Sequence, residues 1–333
     1  VVPYVIIVGL LLFSLAIRPE NRIGYGMNVK KVILADAEDI QSLFGSVYKA
    51  GHPYLFKDTI QRDIENVDIH SLLLYHNGKA IGFAQVRKPE YSFLSYEDSA
   101  CEISRLCIHR DFQHQGISKI ILAEISTIIR EKNPCFITAD CTTDVDYSQR
   151  ALQNFDLKPV CLLKGLAPDF TGSGQSTTVL MMMNIKETFP APETVYIPSG
   201  YVPLAAMIYE SFGLKRTIIR ESSETDDPID IKADVDKHLH YYEKMSASAG
   251  FNYGFVVIDL GSPSAIRAAG IATEAGCAVE GLVPLVRNGN GTRSDKLIMR
   301  KIPDGLDVDK IKVASEYSAF REMILGLNSQ PVS

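Results

Sequence analysis

Leu106-Cys-Ile-His-Arg-Asp-Phe-Gln-His-Gln-Gly-Ile-Ser-Lys-Ile-Ile-Leu122 is the stretch that decides the fold. It reads as a strand, a short polar turn with one glycine, and an amphipathic helix. Gln113, Gly116 and Ser118 stand at the spacing Gln-x-x-Gly-x-Ser. A turn of this kind presents several backbone N–H groups to one point at the positive end of a helix. That is an anion site, most naturally for a pyrophosphate. A Cβ at position 116 would crowd the approach of a phosphate to the backbone.

Outward from this centre the chain alternates strand and helix. Upstream, residues 30–34 form a short strand, and Asp36 with Asp39 opens a helix whose apolar face is Ile40, Leu43, Phe44 and Val47. Residues 71–76 and 80–86 flank Asn77-Gly78, the strongest short hairpin signal. Residues 101–108 are the next strand. Downstream, Ile117, Ile120, Ile121, Ile125, Ile128 and Ile129 keep a helical period until Pro134, and 135–140 returns as a strand. A short helix at 148–154 and strands at 157–163 and 177–185 complete this half. Residues 186–193, with two prolines, read as a linker. Beyond it come a helix through Phe212 closed by Gly213, an acidic loop at 222–228, a strand at 253–259, a helix at 264–275 and two more strands at 279–286 and 296–299.

The totals narrow the function classes. The 333 residues suit two domains, and 46% apolar with 22% charged residues is ordinary for a folded protein. A formal net charge of −6 argues against nucleic acid as the main partner. The six cysteines (101, 107, 135, 141, 161 and 277) form no Cys-x-x-Cys pair and read as reduced, buried thiols of a cytoplasmic protein. His238 and His240 have no third ligand in reach, so no metal is expected. Residues 1–17 are uncharged and apolar, at the lower edge of length for a membrane span, with Arg18 and Arg22 after them. Residues 1–26 are either an anchor that leaves the rest in the cytoplasm or translated sequence upstream of a start at Met27. Membrane association depends on that choice.

The turn and its flanks resemble motif A of the GNAT superfamily of acyl-CoA N-acyltransferases, whose pattern is Gln/Arg-x-x-Gly-x-Gly/Ala. The resemblance is specific over 29–185 and diffuse over 193–330. It implies an α/β (α+β) mixed sheet split down its middle: a GNAT domain at 27–186, a linker at 187–194, and a second, degenerate GNAT-like domain at 195–330. It also implies acetyl-CoA as acyl donor. Gln113, His114, Gln115, Gly116, Ile117 and Ser118 would cradle its diphosphate, and the strand Leu106, Cys107, Ile108 would pair with pantetheine. A bulge in that strand would open the cleft, and the Cys107 or Ile108 amide would meet the oxyanion. Glu102 is the general-base candidate; simple alternation puts it on one face with Ser104 and Leu106, opposite Ile103, Arg105 and Cys107.

The family's acid, a tyrosine four residues before a Gly-Phe pair, falls here on Leu152. Asp146-Tyr-Ser-Gln-Arg-Ala151 resembles instead the Pro-Tyr-Ser-Gln-Lys-Ala run of a bacterial subgroup with an extended C-terminal region. Val145 stands where a histidine often precedes that run. Tyr147 is the substitute acid. The resemblance thus implies an N-acetyltransferase acting by direct attack on a small-molecule or peptide amine, with a homodimer possible. The alternative is a non-catalytic acyl-CoA-binding regulatory module.

Overall fold

The computed structural model describes residues 26–49, 52–89, 100–169, 176–187, 189–190, 193–220 and 254–327. The apolar stretch 1–17, the acidic loop at 222–228 and the pair His238 and His240 lie outside the described residues. Ten strands form one sheet. They are β1 (Met27–Lys31), β2 (His70–His76), β3 (Lys79–Arg87), β4 (Ala100–Ile108), β5 (Phe136–Thr142), β6 (Lys158–Ala167), β7 (Thr177–Ile185), β10 (Phe255–Asp259), β11 (Cys277–Arg287) and β12 (Arg293–Lys301). Their order is β1-β2-β3-β4-β5-β7-β6-β11-β12-β10. A separate parallel pair joins β8 (Thr194–Tyr196) and β9 (Thr217–Ile219).

The helices cover both faces. α1 (Ala37–Gly45) and α2 (Lys57–Glu65) lie on one face, where Ile40, Leu43, Phe44 and Ile60 pack with Leu73, Phe83 and Cys107. α3 (Ile117–Lys132) covers the other face with Ile117, Ile121, Leu122, Ile125 and Ile129. The hairpin β2–β3 turns at Asn77 and Gly78, both at positive φ (48° and 79°), as a two-residue Asn-Gly turn requires. α4 (Tyr147–Ala151) follows β5 and is capped by neither Ser148 nor Asp146. The C-terminal half adds α5 (Val202–Ser211), α6 (Ser264–Glu274) and α7 (Ser318–Leu327).

The sheet order is symmetric about the seam between β6 and β11. β5-β7-β6 on one side is answered by β10-β12-β11 on the other, each made from strand, helix, strand, strand. Local detail repeats with it. β6 and β11 meet at Cys161 opposite Gly281. Four residues on, Gly165 and Leu285 both take φ near +60°. Gly165 N–H donates to Thr178 Oγ1 (3.0 Å), and Leu285 N–H donates to Asp295 Oδ1 (2.9 Å).

The two halves also exchange arms. Tyr196 N–H donates to Leu260 O at the end of β10 (2.9 Å), so the segment leaving the first half runs along the second. Lys312 N–H donates to Thr143 O at the end of β5 (2.7 Å), so the chain's last segment returns to the first. Gln149 on α4 is fully buried and fixes this return, donating to Lys312 O (3.0 Å) and accepting from Ala314 N–H (2.7 Å). α5 and α7, the helices that end the two arms, pack on each other over the seam. One continuous core therefore runs through both halves.

At the seam the strands approach too closely for a side chain. A Cβ on Gly281 would overlap the Val160 carbonyl oxygen and lie 2.5 Å from the Cys161 Cα. Both neighbours are backbone and cannot swing aside. Gly281→Ala should therefore destabilise the fold by about 1–3 kcal/mol, an over-packing cost. Equilibrium urea unfolding should show this as a lowered midpoint, while Gly270→Ala, in open space on α6, serves as the neutral control.

Candidate active site

The site begins where two neighbouring strands stop pairing. β4 and β5 run parallel and in register from Ala100 opposite Phe136 to Ile103 opposite Ala139. Beyond that point β4 continues to Ile108 and β5 to Thr142 without pairing. The cause lies on the other side of β4. Its register against β3 slips between Phe83 opposite Cys107 and Gln85 opposite Ser104, so Arg105 and Leu106 together face Ala84. This two-against-one count is a β-bulge, and Arg105 takes φ +54° to make it. The extra residue bends β4 away from β5 and opens a cleft.

The bulge also corrects the expected alternation. One added residue reverses every side chain after it. Cys107 therefore packs beside Phe44 and Phe83, on the face of Glu102 and Ser104, while Leu106 and Ile108 join Ile103 on the α3 face. His109 N–H donates to Ile81 O across the β3 side (2.9 Å), so backbone alternation turns the N–H of Ile108 toward the cleft. Burial pushes the Cys107 thiol pKa up, which suits a packed side chain and not a nucleophile.

At the wide end of the cleft stands the turn. His114 (φ +62°) and Gly116 (φ +75°) hold its backbone in the left-handed region, with Gly116 as the residue before α3. His114, Gln115 and Gly116 are exposed. Among the described residues, no backbone N–H from His114 to Ser118 has a hydrogen-bond acceptor. A Cβ on Gly116 would project into open space over the turn. Five free donors, open space and a helix N-terminus fit a diphosphate. The Gln113 side chain does not reach into this space. It folds back and donates to Ile108 O (3.0 Å), tying the turn to β4. Gln115 likewise donates to Asp111 O (2.9 Å).

Glu102 lies at the closed end of the cleft, 3% exposed, on the face away from α3. Its Oε1 accepts from Arg87 Nε (3.2 Å) and from a terminal nitrogen of the same guanidinium (2.8 Å). Tyr147 is half-exposed at the start of α4, its ring set edge-on to His114 at 4.7 Å. The turn and the start of α4 thus meet across the cleft mouth.

Several residues on the α1–α2 face were not singled out from the sequence. Tyr54 O–H donates to Asp63 (2.7 Å) and accepts from Gln85, whose amide also donates to Ser71 Oγ (2.9 Å). The Arg105 guanidinium lies over the Tyr54 ring (4.4 Å) and 3.7 Å from Asp63. His52 stacks on Tyr48 (4.2 Å). Just past β5, Asp144 accepts from Thr177 Oγ1 (3.2 Å); burial raises its pKa, and Asp169 raises it further. Ser104 Oγ and Thr138 Oγ1, on the Glu102 face, are buried without a hydrogen-bond partner. One signal for this cluster was present: Arg105 is the lone charge between Ile103 and Ile108.

Residues 37–156 match the model of the Acetyltransferase (GNAT) family. They form a GNAT acetyltransferase domain. The chain is accordingly an acyltransferase, and the acyl donor of this fold is acetyl-CoA. No curated protein sequence matches the chain. Solved structures similar to it include the ribosomal-protein-S18-alanine N-acetyltransferase of Escherichia coli (10% identity, 49% of this chain and 96% of that one, TM-score 0.40). A second is YncA, a putative acetyltransferase of Salmonella typhimurium with acetyl-CoA (15%, 50% and 98%, TM-score 0.41). A third is the spermidine/spermine N-acetyltransferase SpeG of Vibrio cholerae (13%, 48% and 95%, TM-score 0.38). Among the described residues no cluster of His, Cys, Asp and Glu could hold a metal ion, and no helix is long and apolar enough to cross a membrane.

His52 gives the GNAT domain a measurable pH signature. Burial, and then the Arg105 charge, lower its pKa from the usual value to about 3. The folded protein keeps it neutral, whereas the unfolded chain protonates it below about pH 6.5. Its contribution is therefore intact above that pH and is lost as pH falls toward 3, at up to about 1.4 kcal/mol per pH unit. In His52→Phe, the slope of unfolding free energy against pH between 6.5 and 4 should flatten by up to that amount. An unchanged slope would show that His52 titrates normally.

Proposed function

We propose that the protein is an N-acetyltransferase that moves an acetyl group from acetyl-CoA to a primary amine of a small-molecule or peptide acceptor, by direct attack. The observation that carries this reading is the cleft itself: two parallel strands parted by a bulge, with five unpartnered backbone N–H groups at the wide end. Bound there, acetyl-CoA supplies an activated thioester. The backbone from His114 to Ser118 would hold its diphosphate, and the β4 edge from Leu106 to Ile108 would pair with the pantetheine arm as an added strand. The Ile108 N–H, directed into the cleft, is placed to meet negative charge on the thioester oxygen.

The attacking amine must first lose a proton. Two carboxylates offer to take it, and their surroundings differ. Glu102 is paired with Arg87, so a proton on it would give up the charge–charge attraction of that pair. Asp144 accepts from a neutral hydroxyl and feels the Lys312 charge, but burial, with Asp169, still raises its pKa above the ordinary carboxylate value, which favours proton uptake. Tyr147, the acid candidate from the sequence, has its ring against His114 of the phosphate turn, at the diphosphate end of the coenzyme and away from the leaving thiolate. The division into a catalytic half before the linker at 187–194 and a GNAT-like half after it belongs to the same reading. Six buried free thiols support a reducing compartment, the cytoplasm. A homodimer would use a surface other than the β6 edge, which β11 already covers.

Gly116→Asp should abolish acetyl-CoA binding in calorimetry, and unaltered affinity would remove the turn from the site. Given a responsive amine, Glu102→Gln and Asp144→Asn should be compared by their pH–rate profiles at saturating acetyl-CoA. Loss of the base should cost roughly 10²–10⁴-fold in kcat and erase the acidic limb of the profile. If both variants keep that limb, neither carboxylate is the base.

A further inference from the structure

A cavity of about 410 Å³ lies between the start of α4 and the returning arm. Its walls are Val145, Asp146 and Tyr147 from the GNAT domain and Ile311, Lys312, Val313, Ser318, Arg321 and Glu322 from the arm. The volume is in the range of small-ligand sites. Tyr147 connects it to the cleft, because that ring lines the cavity and also touches His114 of the phosphate turn.

The charges on the walls are mostly spent. Asp146 is paired with Arg150. Arg321 donates to Ile311 O (2.9 Å) and Val308 O (3.1 Å) and pairs with Glu322. Lys312 differs. Its side chain is exposed and, among the described residues, its ammonium makes no hydrogen bond and no close ion pair, its charge acting only at longer range on the Asp144 carboxylate. Its backbone, in contrast, is fixed on both sides, by Thr143 O and by buried Gln149. A flexible cation on an anchored backbone beside a half-exposed aromatic ring suits a phosphorylated nucleoside.

We propose that the C-terminal arm completes the coenzyme site. The adenosine end of coenzyme A enters this cavity beside Tyr147, and Lys312 takes its 3′-phosphate while the turn at 114–118 holds the diphosphate. The inference rests on the reading of that turn as the diphosphate site. It makes the second half of the chain a contributor to cofactor binding, because Lys312 lies within that half, well beyond the linker at 187–194.

Calorimetry with the full chain and two probes, coenzyme A and 3′-dephospho-coenzyme A, tests this. Wild type should prefer coenzyme A. Lys312→Ala should weaken coenzyme A by about tenfold, leave 3′-dephospho-coenzyme A within twofold, and be rescued by Lys312→Arg. An unchanged preference in Lys312→Ala, or an equal loss for both probes, overturns the assignment of the 3′-phosphate to Lys312. If wild type binds neither probe, the failure is that of the diphosphate site. Because Lys312 is exposed, thermal melts of the variants should match wild type, and a lowered melt with equal loss for both probes would mark a purely structural role.

Discussion

The bulge at Arg105 is the constraint on which the site depends. A parallel pair of strands in regular register would close the sheet through β4 and β5 and leave nowhere for a cofactor. One residue too many on β4, measured against β3, bends the strand and ends its pairing with β5 at Ala139. A non-glycine residue at φ +54° is costly, so something must hold it there. Arg105 lies over the Tyr54 ring and beside Asp63, and Tyr54 is in turn locked by Gln85 and Asp63. The buried polar network under α1 and α2 thus supports a backbone shape whose use lies in the cleft.

This network also explains why charge and polarity are concentrated on one face of the sheet. The α3 face of β4 and β5 is apolar, with Ile103, Ile137, Ala139 and Cys141 against the isoleucines of α3. The opposite face carries Glu102, Ser104, Thr138 and Asp140 on the same two strands. A two-sided strand pair divides its labour in this way: one face anchors the helix α3, and the other carries the polar groups of the cleft. Stability and chemistry are then set by alternate residues of the same segments.

Much of this was legible in the sequence, and the reasons differ by element. The helix α3 announced itself by an isoleucine period, and the hairpin by Asn77-Gly78. The turn was visible because Gly116 marks the left-handed backbone position, φ +75°, that it takes in the fold. Side-chain direction along β4 was misread for a physical reason: alternation presumes a constant two-residue period, and a bulge breaks it without any required residue type. Arg105 among apolar neighbours marked the place but not the geometry. The Arg87–Glu102 pair joins residues 15 apart, across β3 and β4, and was hidden because cross-strand partners depend on register. Tyr48 and His52, four residues apart, meet Asp144 from a distant segment, and that proximity is a property of the fold alone.

The second half was legible only as a pattern of elements, and the structure explains the faintness. It repeats the strand–helix–strand–strand portion that follows the cleft, and among the described residues it has no counterpart of β4 beside β10. Pro263 stands before α6, at the position that the glycine turn holds before α3. What the second half keeps are features that build the seam and the arms. Left-handed residues sit four positions beyond the crossing point on both strands. A side-chain oxygen accepts the N–H of each. A buried tyrosine lies before each arm helix, Tyr201 and Tyr317. Reciprocal exchange of the two arms means that neither half buries its own helix without the other. Both arms end against that seam, and the returning one brings residues 311–322 to the start of α4.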